Sequence, residues 1–148
     1  MDIPPEVAIK ASIRPGSVYY FPHEALHSPE SHFFVVINID PFSEQVILLV
    51  CSSSKIDKVK RCNKHNAPET LVEIKREEYD DFTCDSILDC NTVFPESIES
   101  LVQRLASNRL DRKSEMDIAL VEKLRRGVLA SRQIAPTIKE QLGMDIQP

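Results

Sequence analysis

Glycine is scarce in this chain of 148 residues, which contains three glycines and no tryptophan. So few glycines leave little material for a loop that cradles phosphates, and the sequence has no P-loop or dinucleotide-binding motif. The zinc-protease pattern HExxH and the nucleophile elbow GxSxG are absent as well. We therefore expect neither a nucleotide-cofactor enzyme nor one of the common hydrolases, and we predict no cofactor.

Long hydrophobic runs are also missing, since no segment approaches the roughly 20 apolar residues of a membrane helix. The first residues contain neither a basic segment nor an apolar stretch of the kind that forms a secretory signal. The net charge is −5, which is unusual for a general nucleic-acid binder. These features predict a cytoplasmic protein without membrane contact, in which any binding of nucleic acid requires a local basic patch.

Four cysteines occur at irregular spacing, and no CxxC pair is present. Zinc sites usually contain ligand pairs two to four residues apart, so we predict no metal site and reduced thiols. One alternative is a metal-binding regulator that uses Cys51, Cys62, Cys90 and His65.

The first part of the chain has the sequence pattern of β-strands, and the later part has that of α-helices. Strands are predicted at 17–21, 32–39, 44–51, 70–74 and 86–90, and helices at 97–105, 114–131 and 136–142. The four-residue turn at 40–43 predicts an antiparallel hairpin. We expect one α+β domain over 1–148, with an irregular arm at 1–15, a β-rich barrel at 16–94 and helices on one side at 95–148.

Three groups of residues could support chemistry at neutral pH. His23, His27 and His32 surround the loop between the first two strands, and histidine is suited to proton transfer. Ser52, Ser53, Ser54 and Lys55 follow the third strand, where hydroxyls next to a cation can hold a phosphate. The plainer interpretations are solvated loop histidines and an ordinary serine-rich turn.

The segment at 51–66 is basic, with a local charge of +4 in an acidic chain. Its cationic residues fit contacts with a phosphate backbone, although they are equally compatible with a solubilising loop; they are Lys55, Lys58, Lys60, Arg61 and Lys64. The acidic run at 77–85 fits a solvated surface better than a cation site.

The order of these pieces resembles the MazF/PemK-like toxin family. The resemblance covers residues 16–142 and rests on Gly16-Ser17-Val18-Tyr19-Tyr20, His32-Phe33-Phe34-Val35-Val36-Ile37-Asn38, Val50-Cys51-Ser52-Ser53-Ser54 and Ser86-Ile87-Leu88-Asp89. It implies an SH3-like barrel, a homodimer and metal-independent cleavage of single-stranded RNA. It also implies a cognate antitoxin as partner.

Two positions carry over from the family's motifs to this sequence. His32 stands at the position of the family's catalytic arginine, and Ser53 at that of its threonine or serine. The arginine is therefore missing, and an imidazole cannot hold a phosphate in two places as a guanidinium does. This departure favours a second hypothesis, a non-catalytic module on the same fold that binds a protein partner or nucleic acid.

A mechanism can nevertheless be written from the residues present. His32 or His23 would be the base, His27 the acid, and Ser53 would position the phosphate beside Lys55. Tyr19, Tyr20 and Phe21 are candidates for stacking on unpaired bases, although aromatic residues of strands more often belong to the core.

Overall fold

The computed structural model of the protein describes residues 3–143. The strands are β1 (Val18–Phe21), β2 (His32–Val36), β3 (Ile47–Ser53), β4 (Leu71–Ile74), β5 (Ser86–Asp89), β6 (Phe94–Glu96) and β7 (Asp111–Lys113). The helices are α1 (Pro5–Ser12), α2 (Pro41–Glu44), α3 (Ile56–Cys62), α4 (Ile98–Ala106), α5 (Ile118–Ala130) and α6 (Pro136–Gly143). Among residues 3–143, none of these helices combines the length and apolar character that a membrane crossing requires.

The strands form one antiparallel sheet in the order β4-β5-β3-β2-β1-β7. The predicted antiparallel pairing of β2 and β3 is confirmed, with Phe34 opposite Cys51 and Val36 opposite Leu49. The predicted four-residue turn was wrong, because the connection is longer and contains α2. On its other edge, β3 pairs first with β6 at Ile47–Leu49 and then with β5 at Ser52 and Ser53. The long third strand therefore holds the two halves of the sheet together.

Apolar residues cover both faces of the sheet, which explains why β2 and β3 are continuously apolar. One face packs through Val35, Leu48 and Val50 against α5 and α6. The opposite face packs through Phe34, Val36 and Leu49 against α1 and α4. The expectation that helices lie on one side was wrong, because alternating side chains of the same strands require cover on both sides.

Three segments differ from the sequence-based expectation. The arm at 1–15 contains α1, which begins with Pro5 in the first turn, where a missing N–H costs nothing. The basic segment at 51–66, where the sequence predicts no helix, contains α3. The helical region at 95–148 includes most of β6 and all of β7, which are three residues each and pair with β3 and β1.

Side chains connect the segments that follow the two outer strands. After β4, the Tyr79 hydroxyl donates a hydrogen bond to the carbonyl oxygen of Ser114, which directly follows β7. The Ser114 amide and hydroxyl both donate to the Asp81 carboxylate. The segments that follow the outer strands β4 and β7 therefore lie next to each other. The sheet is strongly curved, because its two edges would otherwise be far apart. Description as an SH3-like barrel stays a prediction.

Candidate functional site

His32 and Ser53 lie at the same end of the sheet, where β2 begins and β3 ends. Extending the β2–β3 register by two residues places His32 opposite Ser53. Both belong to the face that carries Phe34 and Cys51, because alternate residues of a strand point the same way. The two positions that correspond to the family's motif residues thus lie at the same end of two paired strands.

The His32 ring is half-buried, and one of its nitrogens is engaged. Its Nδ1 lies 3.1 Å from the carbonyl oxygen of Glu30. A carbonyl oxygen only accepts, so Nδ1 carries the proton, and the neutral ring keeps its lone pair on Nε2. Nε2 is then the nitrogen that can accept a proton.

The Ser53 hydroxyl accepts a hydrogen bond from the backbone amide of Lys55 at 3.1 Å. A hydroxyl that accepts one bond still has its own proton to donate. Ser54 and Lys55 are exposed immediately beyond it, at the start of α3. The end of β3 therefore presents a hydroxyl donor and a cation to solvent.

Both ring nitrogens of His23 have hydrogen-bond partners. Its side chain is 11% exposed and packs against the rings of Phe21, Phe34 and Phe94. Nε2 lies 3.1 Å from Glu96 Oε2, and Nδ1 accepts the Ala25 amide at 3.0 Å. Because both nitrogens are bonded, His23 has no lone pair available for proton abstraction in this arrangement.

A charged cluster that the sequence did not indicate surrounds His23. The Arg104 guanidinium donates to the Pro22 carbonyl and to both carboxylate oxygens of Glu24, and lies 3.5 Å from Glu96. It also stacks 4.6 Å from the centroid of Phe21. Sequence alone places Arg104 in a predicted helix and indicates no further role for it, because its partners Pro22 and Glu24 are about 80 residues away in the sequence.

The loop at 22–31 borders an open cavity of about 370 Å³ next to this cluster. It is lined by Pro22, His23, Glu24, Leu26, His27, Ser28, Pro29 and Arg109. His27 and Arg109 are exposed, and within residues 3–143 neither side chain makes a hydrogen bond or an ion pair. Two of the three predicted histidines thus share a cavity, whereas His32 and Ser53 are not part of its lining.

The basic segment is largely helical and exposed. Lys55 precedes α3, Lys58, Lys60 and Arg61 lie on it, and Lys64 follows it. Lys60 pairs with Glu73 at 3.1 Å. Asn63, at the end of α3, donates to Asp89 of β5 and so fixes the helix beside the sheet. Four of the five predicted cations therefore have no ion-pair partner among the described residues.

The acidic run at 77–85 has structural roles. Glu78 and Asp85 accept the backbone amides of Lys75 and Arg76, and hydrogen bonds from Ser114 lower the pKa of Asp81. Within residues 3–143, no three His, Cys, Asp or Glu side chains are arranged to hold a metal ion. The four residues of the alternative metal site therefore do not come together.

Two of the proposed stacking aromatics are unavailable to a ligand. Tyr19 and Phe21 are buried, and Tyr20 packs 4.6 Å from the ring of Phe33. Strand aromatics in this fold serve the core, so the stacking hypothesis was wrong for Tyr19 and Phe21.

Burial, followed by the nearby Asp89 carboxylate, raises the pKa of the Cys51 thiol to about 12.

Comparison with solved structures identifies a similar chain, described as an endoribonuclease in complex with its cognate antitoxin from mycobacterial species. The two chains are 10% identical with a TM-score of 0.52, and the match covers 83% of this chain and 97% of the other. No protein-family model matches the sequence. A comparison with curated proteins also gives no match. The similarity confirms the predicted α+β fold, which this chain shares with that endoribonuclease.

Proposed function

We propose that this protein is a toxin-like endoribonuclease that cleaves single-stranded RNA in the cytoplasm without a metal ion. The observation that carries the proposal is the juxtaposition of His32 and Ser53 at one end of the sheet, with the lone pair of His32 on Nε2. The fold it shares with an endoribonuclease supports the same class of activity.

The reaction uses the 2′-hydroxyl of the RNA as nucleophile. Nε2 of His32 takes the proton of this hydroxyl, whose oxygen attacks the adjacent phosphorus. His27 donates a proton to the departing 5′-oxygen, so that the P–O5′ bond breaks and a 2′,3′-cyclic phosphate forms. Ser53 donates a hydrogen bond to a phosphate oxygen, and Lys55 stabilises the charge that develops there.

The exposed cations of α3 extend the site along the RNA backbone. Lys58, Arg61 and Lys64 continue from Lys55 away from the sheet end. Each phosphate contact releases counterions, so binding weakens as salt increases. Lys60 contributes less, because it is paired with Glu73.

A cognate antitoxin is the protein partner that we propose, in line with the complex in which the similar chain was solved. The antitoxin would neutralise the nuclease by covering the basic surface of α3 with acidic residues. A homodimer, as the family resemblance implies, belongs to the same proposal.

The test is cleavage of a labelled RNA pool in the presence of EDTA. General acid–base catalysis contributes about 10²- to 10⁴-fold, so we expect His32→Ala to lose at least about 100-fold in rate. Ser53→Ala should also slow cleavage. His65→Ala is the matched control. His65 is exposed beyond the end of α3, so this variant should cleave RNA at the wild-type rate. Undiminished cleavage by His32→Ala would exclude the mechanism.

A non-catalytic binding module is the second candidate, and one observation favours it. The Arg104 guanidinium, which stacks on Phe21 of the neighbouring strand β1, is already bound to Glu24 and the Pro22 carbonyl and does not replace the family's arginine. Salt-dependent RNA binding by wild type with no cyclic-phosphate product would support this candidate.

A further inference from the structure

The helix α3 differs from α1, α4 and α5 in how it is attached to the protein. Those three helices each bury at least one apolar residue, whereas none of the seven residues of α3 is buried. Ile56 and Val59 are half-buried, and in the described part of the chain neither hydrophobic core includes them. Apolar burial therefore contributes little to holding α3 against the sheet.

A buried polar side chain directly after the helix supplies the attachment. The side-chain amide of Asn63 donates to the Val59 carbonyl at 2.9 Å and to Asp89 Oδ2 at 3.2 Å. The side-chain oxygen of Asn63 accepts hydrogen bonds from the amides of Asn66 and Asn91, at 2.8 and 3.3 Å. One side chain therefore ends the helix and also joins it to β5.

Asn91 connects this contact to the body of the protein. Its side-chain amide also donates to Thr70 at 2.9 Å and to Asp89 Oδ1 at 3.0 Å, and its oxygen accepts the Ser131 hydroxyl at 2.7 Å. Within residues 3–143, every buried side-chain nitrogen and oxygen has a partner. A satisfied buried network specifies one arrangement and is sensitive to the loss of a single bond. The position of α3 therefore depends on a donor of Asn63 meeting an acceptor of Asp89.

We expect a helix attached in this way to open while the rest of the protein stays folded. Helices shorter than about 12 residues are marginal in water, and α3 has seven. The ion pair between Lys60 and Glu73 contributes little, because both side chains are about half exposed. Segments with few buried apolar contacts open at a lower free energy than global unfolding requires.

We propose that Asn63 and Asn91 are positioning residues of a mobile RNA-binding helix. The contact of Asn63 with Asp89 latches α3 against the sheet, and the latched helix aligns its cations with the end of β3 at Ser53. The RNA contact rests on the proposed function, whereas the latch does not. Because RNA binds the latched form more tightly, RNA shifts the helix toward that form.

The first test is hydrogen exchange of the wild-type protein, measured by NMR over a range of low urea concentrations. The amides of α3 should exchange at least about 100-fold faster than those of β3, with little dependence on urea, because they open locally. The probe is a short unpaired RNA with 2′-O-methyl riboses, which has no 2′-hydroxyl to attack the phosphorus. At saturation it should slow the exchange of α3 and leave that of β3 unchanged.

The second test interchanges the two groups of the latch. Asn63→Asp places a carboxylate against Asp89, and Asp89→Asn places an amide donor against that of Asn63. A hydrogen bond to a charged group stabilises the latched form by a factor of about 10 to 150. Apparent affinity falls with the latched fraction, so each single variant should bind the methylated RNA at least about fivefold more weakly and exchange its α3 amides faster.

The double variant Asn63→Asp/Asp89→Asn again places a donor opposite an acceptor and has the net charge of wild type. It should recover both the RNA affinity and the slow exchange. Net charge alone predicts the opposite for Asp89→Asn, since one negative charge fewer would tighten RNA binding. Asp80→Asn, which makes the same change at an exposed residue outside the latch, is the matched control and should retain wild-type affinity and α3 exchange. Thermal unfolding of each variant checks that it is folded.

The outcomes separate this inference from the proposed nuclease. Binding of the methylated RNA that depends on the latch, by a protein that cleaves no RNA, would support the inference and refute the nuclease. RNA cleavage by a protein whose α3 amides exchange only through global unfolding would refute the inference and leave the nuclease. A double variant that stays as weak as the single variants, or a wild type that does not bind the methylated RNA, would also overturn the inference.

Discussion

Arg104 forms ion pairs with two acidic side chains, which differ in their distance from Arg104 and in their exposure to solvent. The two pairs therefore test whether distance or exposure determines the strength of an ion pair. Glu24 is closer, at 3.0 Å, but is 72% exposed. Glu96 is farther, at 3.5 Å, but is 14% exposed, and Arg104 itself is 13% exposed. Distance alone would make Glu24 the stronger partner, whereas screening by water would make Glu96 the stronger.

The magnitudes favour Glu96. Exposed pairs contribute about 0.2–1 kcal/mol in double-mutant cycles, because water screens the attraction and ordering costs entropy. A partly buried pair experiences an effective dielectric constant nearer 20 than 80, which outweighs the difference between 3.0 and 3.5 Å. We expect coupling of about 1–3 kcal/mol for Arg104 and Glu96, in the range found for residues that share a network.

The perturbation is Arg104→Met, which keeps an apolar chain over Phe21 and removes the charge. By itself it should destabilise the protein by about 2–4 kcal/mol, because the Pro22 carbonyl loses a charged donor and Glu96 loses its cation. Urea unfolding at pH 7 of this variant, Glu24→Gln, Glu96→Gln and the two double variants gives both coupling energies. A coupling to Glu24 equal to or larger than that to Glu96 would refute the reasoning.

Two further predictions concern titrating groups. The pKa of Asp81 is lowered in the folded state, so its ionised carboxylate stabilises the fold above the unfolded pKa of about 4, and this stabilisation is lost as pH falls through the folded pKa. Asp81→Asn should therefore destabilise the protein at pH 7. Urea unfolding should show the difference in stability between wild type and variant disappearing in acid. Burial raises the pKa values of Cys51 and Cys90 to about 12, so a disulfide reagent at pH 8 should label the exposed Cys62 and Cys84 rapidly and the other two only after unfolding; rapid labelling of all four would contradict this.

The elements predicted from sequence are those whose own residues determine them. The apolar runs of β2 and β3 and the helical stripe of α4 lie close to their predicted bounds. The short strands β6 and β7 carry Phe94-Pro95-Glu96 and Asp111-Arg112-Lys113, which show no apolar alternation. They are strands because β3 and β1 offer free edges, which is a tertiary cause that a local pattern does not contain.

The residues of the candidate site also differ in how far the sequence could predict them. The positions of His32 and Ser53 follow from the register of one hairpin. The predicted four-residue turn would place His32 opposite Cys51, whereas the actual connection contains α2 and shifts the register by two residues. The contacts of Arg104 with Glu24 and of His23 with Glu96 join residues more than 70 positions apart. Neither spacing nor residue type points to such partners. Arg109, which lines the cavity, carried no sequence signal either.

The three histidines that form one group in the sequence differ in what the fold leaves available on each ring. His23, two residues after Phe21, packs against the rings of Phe21 and Phe94, and both of its nitrogens are bonded. His27 is exposed at the cavity. His32 has one nitrogen bonded and one with a lone pair, because it begins β2 just after the carbonyl of Glu30. A loss of activity in His23→Ala would therefore report a displaced loop, whereas the proton-transfer hypothesis depends on His32 and His27 alone.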